Sequence, residues 1–125
     1  MSQPYQLGDL QLAIMRVLWA RGEASASEVH AALLEERGLA PTTIATMLRK
    51  MEDKGVVDHR AQGRQFIYRP CIAESDVREG MVGDLVERLF RGDCAALVNH
   101  LIEAGEIDAG ELDELRARLG KGGRR

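Results

Sequence analysis

The stretch Pro41-Thr42-Thr43-Ile44-Ala45-Thr46-Met47-Leu48-Arg49-Lys50-Met51-Glu52-Asp53-Lys54-Gly55 decides the fold. Proline suits the first position of a helix, where its missing N–H has no intrahelical partner. Ile44, Met47, Leu48 and Met51 follow at i, i+3, i+4 and i+7, one apolar stripe that must face a core. Gly55 stops the helix, and Lys54 sits favourably near the negative end of its dipole. The other flank carries Thr42, Thr43, Thr46, Arg49 and Lys50, with Asp53 further along. One flank must be buried, and the other offers hydroxyls and cations.

Downstream the period changes from helix to strand. Val56-Val57-Asp58-His59-Arg60 and Gln65-Phe66-Ile67-Tyr68-Arg69 read as two short strands around a turn at Ala61-Gln62-Gly63-Arg64. Phe66 and Tyr68 share one face and Ile67 takes the other. Pro70 cannot donate to a ladder and closes the hairpin. Upstream, Leu10, Ile14, Val17 and Leu18 make an amphipathic helix over about Asp9 to Ala20, widened by Met15 and Trp19 and ended by Gly22. Ser25 and Glu28 have capping-box spacing for a second helix, whose buried face is Val29, Leu33 and Ala32 and which Gly38 terminates.

Three helices and a hairpin in this order are expected of a winged helix-turn-helix domain, with the hairpin as the wing. The expected fold class is therefore mainly α with a small β-hairpin. Threonines near the start of the third helix permit close approach to a duplex. Their hydroxyls can bond phosphates or base edges, and their methyls can meet thymine methyls. Thr42, Thr43, Thr46, Arg49, Lys50 and, on the wing, Arg60 and Arg64 are the expected DNA-binding residues. The same pattern fits a winged-helix module that docks a protein, with the threonine face as plain solvated surface.

After Pro70 the helical period returns. Helices are expected over about Ser75 to Arg91, Cys94 to Ala104 and Asp108 to Leu119, the last opened by an Asp108/Glu111 capping box. Their apolar residues Met81, Val82, Leu85, Val86, Leu89, Phe90, Leu97, Leu101, Ile102, Leu112 and Leu115 are more than three short helices can bury alone. A second copy of the chain is the expected outlet, making this a dimerisation region; the alternative is packing back on the wing domain. The domain expectation is 1–70 for the winged helix, 71–119 for the dimerisation helices and 120–125 as a disordered tail.

Charge supports that division. The chain of 125 residues has a formal net charge of −3. Residues 1–70 hold nine Lys/Arg against eight Asp/Glu, and residues 71–125 hold eight against twelve. Within 42–69 the balance is six to three, so cationic charge gathers where DNA would lie. Exposed charges are screened beyond roughly 8–10 Å, and the local patch outweighs the global sum. Aromatic residues are only 4%, so the core must be aliphatic.

No apolar run approaches the roughly 20 residues that span a bilayer. Met1-Ser2-Gln3-Pro4-Tyr5-Gln6 has no basic-then-apolar pattern of a signal peptide, so a cytoplasmic protein without membrane insertion is expected. His30, His59, His100, Cys71 and Cys94 lack metal-ligand spacing, and no nucleophile–base set can be assembled. No metal, no cofactor and no enzymatic activity are expected.

Three motifs carry a family resemblance. Thr43-Ile44-Ala45-Thr46-Met47-Leu48-Arg49-Lys50-Met51-Glu52-Asp53-Lys54-Gly55 resembles the T-V-x-T-x-L-x-R-L-x-x-K-G of the penicillinase-repressor family of bacterial transcriptional regulators, of BlaI/MecI/CopY type. Gly63-Arg64-Gln65-Phe66-Ile67-Tyr68-Arg69-Pro70 resembles its wing, and Met15-Arg16-Val17-Leu18-Trp19 its first helix. The resemblance implies a homodimeric repressor on a palindromic operator. It also implies a membrane-bound metalloprotease sensor whose pathway cleaves an Asn-Phe bond. Here the neighbourhood is Val98-Asn99-His100-Leu101-Ile102, without that Phe, and the Cys-x-Cys motif of the copper-responsive branch is absent.

Overall fold

The computed structural model describes residues 6–120. The first helix, α1 (Asp9–Arg21), runs one residue further than its expected end and is capped by Gly22. It buries Ala13, Ile14, Met15 and Leu18; Leu10 and Val17, expected in the stripe, are only half-buried. A two-residue strand, β1 (Ala24–Ser25), leads into α2 (Ala26–Arg37). The Ser25/Glu28 capping box forms as expected. Glu28 N–H donates to Ser25 Oγ at 3.1 Å and Ser25 N–H to Glu28 Oε1 at 2.8 Å. Val29 and Leu33 are buried and Ala32 is exposed. Gly38 ends α2 in the left-handed region at φ 61°, a conformation that side chains disfavour.

The third helix, α3 (Pro41–Asp53), starts on its proline and buries Ile44, Leu48 and Met51, with Met47 half-buried. The hairpin follows as β2 (Val57–Gln62) and β3 (Gln65–Pro70). Its strands reach further than expected: Gln62 pairs with Gln65, leaving Gly63-Arg64 as a two-residue turn. Gly63 takes φ 63°, as such tight turns require. β1 pairs antiparallel with β3, Ala24 opposite Tyr68 and Ser25 opposite Ile67, giving a three-stranded sheet of order β1-β3-β2.

The next helix, α4 (Glu74–Phe90), belongs in part to this unit. Two compact units divide the chain, Met1–Val82 and Gly83–Arg125, so the winged-helix unit reaches past Pro70. The reason is packing. The Trp19 indole N–H donates to the Ile72 carbonyl at 2.9 Å, Val77 is buried, and Met81 is half-buried against the same core. Met81 is thus a core residue of the winged helix as well as a member of the expected dimer set.

The second unit takes in the end of α4, then α5 (Cys94–Glu103) and α6 (Ala109–Gly120). Arg91 and Gly92, both at positive φ, break the chain between α4 and α5. Asp93 caps α5 by accepting from Ala96 N–H at 3.1 Å, and the Asp108/Glu111 box caps α6. Val86 is the one buried hydrophobic among the described residues of this unit. Leu97, Leu101 and Leu112 are half-buried; Leu85, Leu89, Ile102 and Leu115 are exposed. Gly120 is helical, and the rest of the expected tail, 121–125, lies outside the described residues. Among the described residues, no helix is long and apolar enough to cross a membrane.

Candidate nucleic-acid interface

The buried stripe of α3 leaves Thr42, Thr43, Thr46, Arg49 and Lys50 together on its exposed side. Strand alternation then decides what the wing adds. His59, Phe66 and Tyr68 share the face turned towards α3, where His59 meets Glu52. A groove of about 250 Å³ lies along this side, lined by Arg49 from α3, Ser27 from α2, and Arg64, Gln65, Phe66 and Tyr68 from the wing. Arg49 and Arg64, expected at this surface from the sequence, both line it. Neither has an acidic partner within salt-bridge distance among the described residues.

Arg60 does not join them. One residue from His59, it projects from the opposite face of β2. There its Nη2–H donates to Glu23 Oε2 at 2.8 Å and its Nη1–H to Gln62 Oε1 at 2.6 Å. Arg60 and Arg64 were both expected to reach DNA from the wing; Arg60 is held by Glu23 and Gln62, whereas Arg64 stands in the two-residue turn at the wing tip. An exposed pair of this kind is worth about 0–1 kcal/mol, so its role is orientation rather than stability.

Arg69 is also occupied. It sits in register with Asp58, and its Nε–H donates to Asp58 Oδ1 at 2.7 Å. That hydrogen bond, with the guanidinium charge, holds the Asp58 carboxyl below its ordinary range and raises Arg69. Burial pushes the Cys71 thiol up, helped by Asp58, which keeps it protonated and poorly nucleophilic. The histidines have local partners: His30 Nε2 lies 2.9 Å from the Leu39 carbonyl, His59 pairs with Glu52, and the ring of His100 lies 6.2 Å from Phe90.

Sequence reasoning missed Ser27, Gln65 and Phe66 as groove residues. Ser27 follows the N-cap of α2, and its exposure there was the available signal. Phe66 was assigned to a strand face, yet it remains 49% exposed. Its ring stacks on His59 within the wing, with centres 4.1 Å apart.

Comparison with known proteins agrees with this geometry. The penicillinase repressor family matches residues 7–121. The penicillinase repressor of Bacillus licheniformis is 32% identical over 88% of this chain and 86% of its own length. The transcriptional regulator BlaI of Mycobacterium tuberculosis (strain H37Rv) is 33% identical over 95% and 86%. The solution structure of the Bacillus licheniformis BlaI monomeric form in complex with the blaP half-operator superposes with a TM-score of 0.52 at 37% identity, covering 61% of this chain and 93% of that one. This chain, a winged-helix protein with an open cationic groove between its third helix and its wing, belongs to the penicillinase repressor family of DNA-binding transcriptional repressors, which are not enzymes.

Proposed function

We propose that the chain acts in the cytoplasm as a homodimeric repressor that occupies a palindromic operator, with α3 in the major groove and the wing along the flanking backbone. One observation carries this reading: Arg49, on the exposed Thr/Arg/Lys flank of α3, and Arg64 of the wing line a single groove. Thr42, Thr43, Thr46, Arg49 and Lys50 then serve base edges and nearby phosphates, and Arg64 serves a phosphate. The BlaI complex contains one half-operator. Two copies related by a two-fold axis would meet two such halves, spaced by whole helical turns. The exposed side chains of Leu85, Leu89, Ile102 and Leu115 supply the contact between copies, joined by Val82 and by the half-buried Phe90, Leu97, Leu101 and Leu112.

Cleavage at Asn99–His100 is left out of the proposal. The pair lies inside α5, and the His100 carbonyl accepts from Ala104 N–H at 2.9 Å. Proteolytic nicking favours exposed loop tips over hydrogen-bonded helix.

The test is a gel shift with DNA from upstream of the chain's own gene, repeated over a salt series. The folded dimer should retard this fragment in the presence of unrelated competitor. Arg64→Ala should weaken binding to operator and unrelated DNA alike, and reduce the slope of log affinity against log salt by about one. A folded dimer that retards no DNA at low salt would leave the fold as a protein-docking module.

A further inference from the structure

We propose that His59 and Glu52 form a positioning strut that sets the angle of the wing against α3, and that Arg64 reaches the DNA backbone only while the strut is made. The inference rests on the reading of α3 and the wing as the DNA-binding surface, and adds residues that do not touch DNA themselves.

Its geometry is specific. A carboxylate only accepts hydrogen bonds, so the ring proton sits on His59 Nδ1. From there it points between the two Glu52 oxygens, at 2.8 and 2.9 Å. Both side chains are 29% exposed, which shields the pair from part of the solvent competition that weakens surface contacts. Glu52 is one residue from the end of α3, and His59 is the third residue of β2. The bond therefore spans the short Lys54-Gly55-Val56 connection between α3 and the wing.

The His59 ring also contacts the wing's aromatic residues. Phe66 stacks on it with ring centres 4.1 Å apart and planes 21° apart, and Tyr68 leans against it at 5.5 Å. Such contacts need a fixed ring, and the carboxylate fixes it. Phe66 in turn lies two residues from Arg64 and lines the same groove. The Arg60–Glu23 contact ties down the opposite face of the hairpin and does not reach α3. Removing His59 thus removes this link between the outer wing and the recognition helix, while the base of the hairpin stays held by the buried Val56, Val57 and Tyr68.

The experiment combines two readouts on the full chain. In the free protein, heteronuclear NOE values of the Gly63 and Arg64 amides report the order of the wing tip. With the DNA fragment from its own promoter, affinities of wild type, Arg64→Ala, His59→Ala and the double variant make a thermodynamic cycle. His59→Ala should lower the NOE values at the tip. Arg64→Ala should cost roughly tenfold in affinity in the wild-type chain, the scale of a charge-assisted hydrogen bond. In the His59→Ala background it should cost roughly twofold or less. His59→Asn keeps a donor at the Nδ1 position and should restore most of the coupling; Glu52→Ala, which removes the acceptor and keeps the ring, serves as the test variant if His59→Ala does not fold. Equal costs of Arg64→Ala in both backgrounds, or unchanged tip order in His59→Ala, would overturn the strut. If Arg64→Ala costs nothing even in the wild-type chain, the wing's contact with DNA fails instead, and the NOE values alone then decide the strut.

Discussion

Replacing Leu85 and Leu89 together by aspartate is expected to produce a monomer whose operator affinity is lower by about 10²–10⁴-fold. Both leucines lie in the part of α4 beyond Val82, and Leu89 is 69% exposed. In that unit Val86 is the one buried hydrophobic among the described residues, while Val98, Ile102, Leu115 and Leu119 are also exposed. These exposed apolar side chains are the proposed contact between copies. Placing two carboxylates in such a contact costs several kcal/mol per buried charge, and the dimer gives way. The monomer keeps a recognition helix but loses the second half-site, whose binding in the dimer is an intramolecular event. Sedimentation velocity and fluorescence anisotropy on the operator check both halves. A dimeric double variant, or a monomer that binds as tightly as wild type, would remove the proposed contact.

Leu48→Ala is expected to destabilise the winged-helix unit by about 2–5 kcal/mol, measured by urea unfolding. Leu48 is fully buried at the centre of the α3 stripe, packed in one cluster with Ile14, Met15, Leu18, Val29, Ile44 and Met51. Removing three carbons there leaves a cavity that rigid neighbours only partly fill. A total stability of about 5–15 kcal/mol makes this a large fraction. A cost below about 1 kcal/mol would show that α3 is not anchored by that flank.

Much of this fold can be read from local chemistry. Pro41, the Ser25/Glu28 box and Gly38 each specify a helix end through groups within a few residues of one another, and each appears where its chemistry places it. The threonine and cation flank of α3 follows from the same period that buries Ile44 and Leu48. What was not legible depends on distant partners. Strand β1 is two residues long, too short for alternation to register, and exists because β3 offers Ala24 and Ser25 a ladder. The contact between Arg60 and Glu23, far off in sequence, has no local signal either. Val77 and Met81 read as part of one long amphipathic helix, and only packing shows that the first turns of α4 complete the winged-helix core. His59 looked like a lone histidine in a strand; its role appears once α3 brings Glu52 beside it.

The outward flank of α3 is proposed to read base sequence. This is tested most directly by measuring Thr46→Ala and Arg49→Ala at one salt concentration, on the operator and on unrelated DNA of equal length. The expected result is a loss of about 1–3 kcal/mol on the operator for each residue that meets a base, with a much smaller loss on unrelated DNA. Operator affinity unchanged in both variants would contradict it.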